Sequence, residues 1–113
     1  MKITVERATL QKAVQSVIPA VPKKPAMPIL SHVLFEAENG LLRITASAID
    51  EFIAAVILCN TDGSGSFTIN AQLLLGLINR LDGNDVSITA EDCIVHLTCG
   101  KAQVRFTSFE PEN

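Results

Sequence analysis

Two stretches of the chain carry the same pattern of residues 64 positions apart. Ile3-Thr4-Val5 matches Phe67-Thr68-Ile69, and Leu10, Ala13, Val14 and Val17 match Leu74, Leu77, Ile78 and Leu81. Apolar residues at i, i+3, i+4 and i+7 form one stripe on a helix, while alternation over a few residues marks a strand. Three further strand-like segments follow each stripe, so each half reads β-α-β-β-β. The expected class is α+β, with an antiparallel sheet outside and two helices on one face. Residues 1–113 form a single domain on this reading, with pseudo-repeats at about 1–60 and 66–109 and the two halves joined in one continuous sheet.

The punctuation agrees with the pattern. A helix is expected over 7–19, ended by Pro19 and Pro22, with Pro25 and Pro28 holding an extended connection. Strands are expected at 30–37, then where Leu42, Ile44 and Ala46 alternate with Arg43 and Thr45, and at 52–59. Asn39-Gly40 is a two-residue hairpin turn, because both positions of a type I′ turn need φ > 0. The run 52–59 is almost wholly apolar, so that strand is covered on both faces or sits at an interface. Asp62-Gly63-Ser64-Gly65-Ser66 leads into a strand and not a helix, so it reads as a connection and not a phosphate loop. Asn70 is placed to cap a helix over 71–81, closed by Asp82-Gly83-Asn84. The last strands are expected at 86–90, 93–98 and 102–108, with Glu91-Asp92 and Gly100-Lys101 at the turns.

Composition excludes several classes. The chain is 48% hydrophobic and 19% charged, which is incompatible with intrinsic disorder. Five Phe with no Tyr or Trp imply an aliphatic core. No apolar run approaches the ~20 residues needed to span a bilayer, and Met1 to Glu6 lacks an apolar signal region. The expected location is therefore cytoplasmic, with no membrane partner. Cys59, Cys93 and Cys99 are expected to be reduced and mostly buried. With only His32 and His96 beside them, they offer no zinc spacing, and no metal or other cofactor is expected.

Charge is unevenly distributed within a net of −3. Residues 1–30 hold Lys2, Arg7, Lys12, Lys23 and Lys24 against Glu6, a net of +4. Residues 31–113 hold Arg43, Arg80, Lys101 and Arg105 against eleven acids, a net of −7. A basic segment on an acidic protein can meet a polyanion where its cations share a face.

One resemblance covers the whole chain. Met1-Lys2-Ile3-Thr4-Val5-Glu6-Arg7, Leu10, Pro25-x-x-Pro28-Ile29-Leu30, Asn39-Gly40-x-Leu42, Ile44-Thr45, the unit at 67–81 and Gly100 with Phe106 together resemble the N-terminal domain of the bacterial sliding clamp, the beta subunit of DNA polymerase III. The resemblance implies a DNA-clamp-like fold. Family subunits hold three such domains, and two subunits close a ring around duplex DNA. The ring is a non-catalytic processivity factor that tethers the replicative polymerase. The implied partners are double-stranded DNA and other clamp domains. Polymerase and clamp loader are reached only through domains absent from these residues.

Residue by residue, the resemblance places Lys23 and Lys24 in a loop that touches DNA. Arg7 and Lys12 flank the first helix, and Arg80 is the sole basic residue of the second. The second helix and last strand lie where subunits meet, offering Leu73, Leu74 and Leu75, then Lys101, Gln103, Val104, Arg105 and Phe106. Leu74 already belongs to the core stripe, so Leu73 and Leu75 are expected to be exposed contact residues. The sequence departs from the family at Ser47-Ala48-Ile49-Asp50, where a Thr-Asp-Leu-Glu run is usual. That departure, with the poor basicity of helix 71–81, supports an alternative: a clamp-derived interaction module that caps or regulates a clamp without touching DNA. An unrelated enzyme on a similar sheet is a third reading, but no catalytic residues stand out. His96, lacking an identifiable partner, reads as an ordinary strand residue.

Overall fold

The structure is a computed structural model and describes residues 1–21, 31–48 and 50–108. In chain order its elements are β1 (Lys2–Glu6), α1 (Arg7–Val17), a 3-10 turn (Ile18–Ala20), β2 (His32–Glu38), β3 (Leu41–Ser47), β4 (Phe52–Leu58), β5 (Asn60–Asp62), β6 (Gly65–Asn70), α2 (Ala71–Ile78), β7 (Asp85–Glu91), β8 (Ile94–Cys99) and β9 (Ala102–Thr107). In chain order a strand and a helix are followed by further strands in both halves. The fold is α+β, with two α-helices and antiparallel strand pairing among the described residues.

The strands form two hydrogen-bonded sheets, not the single continuous one expected. Their orders are β5-β1-β7-β8-β9 (sheet A) and β4-β3-β2-β6 (sheet B). Each half builds its own three-stranded meander, and the opening strand of each half crosses to the other. β1 pairs with β7 in the register Ile3↔Ile88, and β6 pairs with β2 in the register Phe35↔Phe67. β5 is an addition the repeat did not predict. It forms within the Asn60–Asp62 stretch, pairs with β1, and leaves the connection as a tight turn at Gly63 (φ 81°).

Alternation dictates what is buried. Leu42, Ile44 and Ala46 of β3 are fully buried, while Leu41, Arg43 and Ser47 are exposed. Leu10, Ala13, Val14 and Val17 turn one face of α1 inward, against β3, β4 and α2. Asn39 and Gly40 take φ 51° and 81°, the twist a type I′ hairpin needs. Asn70 Oδ1 accepts the Leu73 N–H at 3.1 Å and so caps α2.

α2 is shorter than expected. It ends at Ile78, because Arg80 N–H donates to the Leu77 carbonyl at 2.9 Å and turns the chain. Arg80 therefore sits in the turn and not on the helix, while Leu81 still reaches the core. The β7–β8 turn is centred on Asp92 and Cys93, one residue beyond Glu91-Asp92. That places Cys93 in the open. Cys99 is buried and Cys59 half-buried, all three thiols being free, so the expectation of mostly buried cysteines fails at Cys93.

Candidate functional site

Arg7 opens α1 and is half-buried. Its Nε donates to the Gly83 carbonyl at 2.7 Å, and Nη1 donates to Gln11 Oε1 at 3.4 Å. Gln11 Nε2 in turn donates to Asn79 Oδ1 at 2.8 Å. This polar chain ties the first turns of α1 to the end of α2 and the loop before β7. A guanidinium has five donors, so two bonds still leave Arg7 able to take a further acceptor. Gly83 is needed at this junction: a Cβ there would lie 2.8 Å from Cys99 Sγ and 3.0 Å from Gly100 N.

The basic residues expected to meet DNA thus fall into two sets. Arg7 sits at the α1–α2 junction, and Lys12 and Arg80, which follow Gln11 and Asn79 in the sequence, are exposed. Glu6 is close by, accepting from Thr9 Oγ1 at 3.4 Å, so the local charge is mixed. Lys23 and Lys24 lie outside the described residues.

The residues expected at a subunit interface lie on α2 and β9. Leu73 is 62% exposed, Leu75 is partly buried against the core, and Leu74 is wholly inside it. The 100° step per residue explains the difference. Leu73 is thrown outward, whereas Leu75 stays at the margin of the stripe. β9 is the edge of sheet A. Gln103 and Arg105 face outward, Val104 packs partly inward, Phe106 is buried, and Lys101 is exposed in the preceding turn.

Sequence reasoning missed the clasp between the sheets. Ser108 Oγ, just after β9, accepts the Thr68 N–H of β6 at 2.7 Å and lies 3.3 Å from Thr68 Oγ1. Thr68 Oγ1 lies 3.1 Å from His32 Nδ1. No local pattern signals contacts between residues this far apart. Burial lowers the His32 pKa and raises that of the Cys59 thiol. Neither shift favours reactivity: the histidine stays neutral, and the thiol is held from its nucleophilic form. His96 is exposed on β8, and among the described residues no group of His, Cys, Asp and Glu is placed to hold a metal. No helix is long and apolar enough to cross a membrane, among the described residues.

Comparison with known proteins gives one answer. The family described as DNA polymerase III beta subunit, N-terminal domain, matches residues 1–113. The beta sliding clamp of Caulobacter vibrioides is 37% identical over 90 residues, covering 79% of this chain and 24% of its own length. That of Vibrio harveyi is 30% identical over 105 residues, covering 91% of this chain and 72% of its own. Among solved structures, Caulobacter crescentus pol III beta superposes with a TM-score of 0.94 at 29% identity, covering 100% of this chain and 31% of that one. The Helicobacter pylori beta clamp bound to a DNA ligase peptide gives a TM-score of 0.93 at 25% identity, covering 100% and 32%. The chain spans less than a third of the length of the Caulobacter relatives.

Proposed function

The chain belongs to the DNA polymerase III beta subunit family, as an N-terminal domain, and on that premise we propose that it serves as one segment of a DNA sliding clamp. In this role it encircles duplex DNA as part of a ring and supports processive synthesis in the cytoplasm without chemistry of its own. The observation that carries the reading is the contact between α1 and α2, joined through Gln11 and Asn79, with Arg7 bonded to Gln11 beside it.

A clamp must hold DNA without register. Contacts to phosphate supply attraction that is independent of sequence and weakens with salt. A few cations diluted by neighbouring acids suit that task better than a dense basic patch, since topology and not affinity retains the DNA. Arg7 is held by Gly83 and Gln11, so its charge is presented from a fixed position; Lys12 and Arg80 are free to follow the phosphates. Lys23 and Lys24 complete the set. Leu73, Lys101, Gln103, Val104 and Arg105 form the surface for another clamp domain, with Leu74, Leu75 and Phe106 supporting it from beneath. The open edge of β9 allows the neighbour's sheet to continue this one. Polymerase and clamp loader are engaged through the remainder of the ring.

The test is duplex binding by the chain across a salt series. Binding that weakens with salt, is indifferent to sequence and loses slope in Lys23→Ala/Lys24→Ala and in Lys12→Ala/Arg80→Ala supports the reading. Binding that is absent at low salt, or that ignores these substitutions, overturns it.

A further inference from the structure

Asn39 is followed by Gly40, and no other asparagine in the sequence precedes a glycine. Asn39 is exposed at the turn between β2 and β3. Such a pair carries its own chemistry. The Gly40 nitrogen can lose its proton to hydroxide and attack Cγ of Asn39. A C–N bond forms, and the side-chain nitrogen takes up a proton and leaves as ammonia. Water then opens the five-membered ring at one of its two carbonyls. One opening leaves aspartate at position 39; the other leaves isoaspartate, with the main chain running through Cβ. Gly40 has no side chain to shield its nitrogen.

The fold opposes the first step. Ring closure needs the Gly40 nitrogen turned onto the Asn39 side chain. The type I′ turn, with φ 51° at Asn39 and 81° at Gly40, holds it in another direction. The Gly40 N–H donates to Thr61 Oγ1 at 2.9 Å, and the Gly40 carbonyl accepts the Cys59 N–H at 3.0 Å. Both polar groups of Gly40 are thus held by the stretch that leads from β4 into β5. Thr61 is half-buried and is the register partner of the buried Ile3. β5 is three residues long and meets β1 only at Lys2↔Asp62, Ile3↔Thr61 and Thr4↔Asn60.

We propose that Asn39 is a site of spontaneous deamidation, kept closed by the Thr61 hydroxyl and opened when β5 lifts from β1. A short strand with few pairs opens locally at a smaller cost than global unfolding. The opening is reversible, but the reaction it admits is not. Isoaspartate adds a methylene to the main chain between Glu38 and Leu41, which are register partners, so the hairpin cannot keep its turn. Aspartate keeps the chain length and adds a charge beside Glu38. The inference stands on contacts within the chain and is independent of DNA binding.

The experiment ages the full chain in mildly alkaline buffer and follows the Asn39 peptide by mass spectrometry and isoaspartate content. The folded wild type is expected to react far more slowly than the same chain in guanidinium chloride. Thr61→Val, which keeps the shape and removes the hydroxyl, is expected to speed the folded reaction by about two- to tenfold, the range that loss of one hydrogen bond allows. Thr61→Ser restores an acceptor and should return the rate toward that of the wild type. Hydrogen exchange at the Gly40 amide should quicken in Thr61→Val in step with deamidation, with the far-ultraviolet spectrum unchanged. Folded wild type that deamidates at Asn39 as fast as the denatured chain overturns the proposal. So does a folded Thr61→Val that reacts at the wild-type rate, or a Thr61→Ser as fast as Thr61→Val.

Discussion

The rings of Phe35 and Phe67 stack across β2 and β6 with centroids 5.0 Å apart and planes 9° from parallel. The two residues come from different halves of the repeat, are register partners, and are at most 2% exposed. They join the halves where the opening strand of one enters the sheet of the other. Phe35→Ala is expected to destabilise the protein by about 3–5 kcal/mol, through lost burial and the cavity left behind. Denaturant unfolding should show a lower midpoint in a transition that is still single, because the loss falls on both halves.

His32 gives stability a pH dependence. Burial lowers its pKa below the ordinary value near 6.5, so the unfolded chain binds a proton that the folded one resists. Its contribution is fully present above about pH 6.5 and is lost as pH falls through the lowered folded value. Unfolding midpoints measured from pH 7.5 to 5 should decline over that interval. His32→Gln should flatten the decline.

Cys93 sits at φ 65° and is exposed, a conformation that costs an L-residue roughly 1–2 kcal/mol. Glycine carries no such penalty, although it has more freedom to lose on folding. Cys93→Gly is expected to raise stability by about 1 kcal/mol, and thermal unfolding would register it.

Gly83→Ala is expected to act in the opposite direction. The new Cβ meets Cys99 Sγ and the Gly100 backbone, so the loop must move and carry with it the carbonyl that holds Arg7. A cost on the order of 1–3 kcal/mol is expected by the usual measure of overpacking. Duplex binding should weaken in the same variant if Arg7 acts from that position.

Local signals told most of the element order. The α1 stripe of Leu10, Ala13, Val14 and Val17 is buried as its spacing requires, and Asn70 and Asn39-Gly40 act as their chemistry predicts. Pairing was not legible. Alternation says which residues of β1 face inward, but not that β7 rather than β2 lies beside it. The Asp92-Cys93 turn lacked a glycine to mark it. On the candidate site, Arg7 was visible as a cation, but its bond to Gly83 joins residues 76 apart and leaves no trace in local sequence. Leu73 and Leu75 looked alike until the helix set one outside and the other against the core.

The crossing of β1 and β6 also shapes how the chain comes into being on a ribosome. β1 emerges first, yet its β7 neighbour is not made until Asp85–Glu91. Until then β1 has only β5 to lie beside, and the β2 edge waits for β6. Most of the chain must therefore be synthesised before either sheet can close. Such long-range pairing is slow, and it leaves the nascent chain exposed to association with its neighbours on the same message.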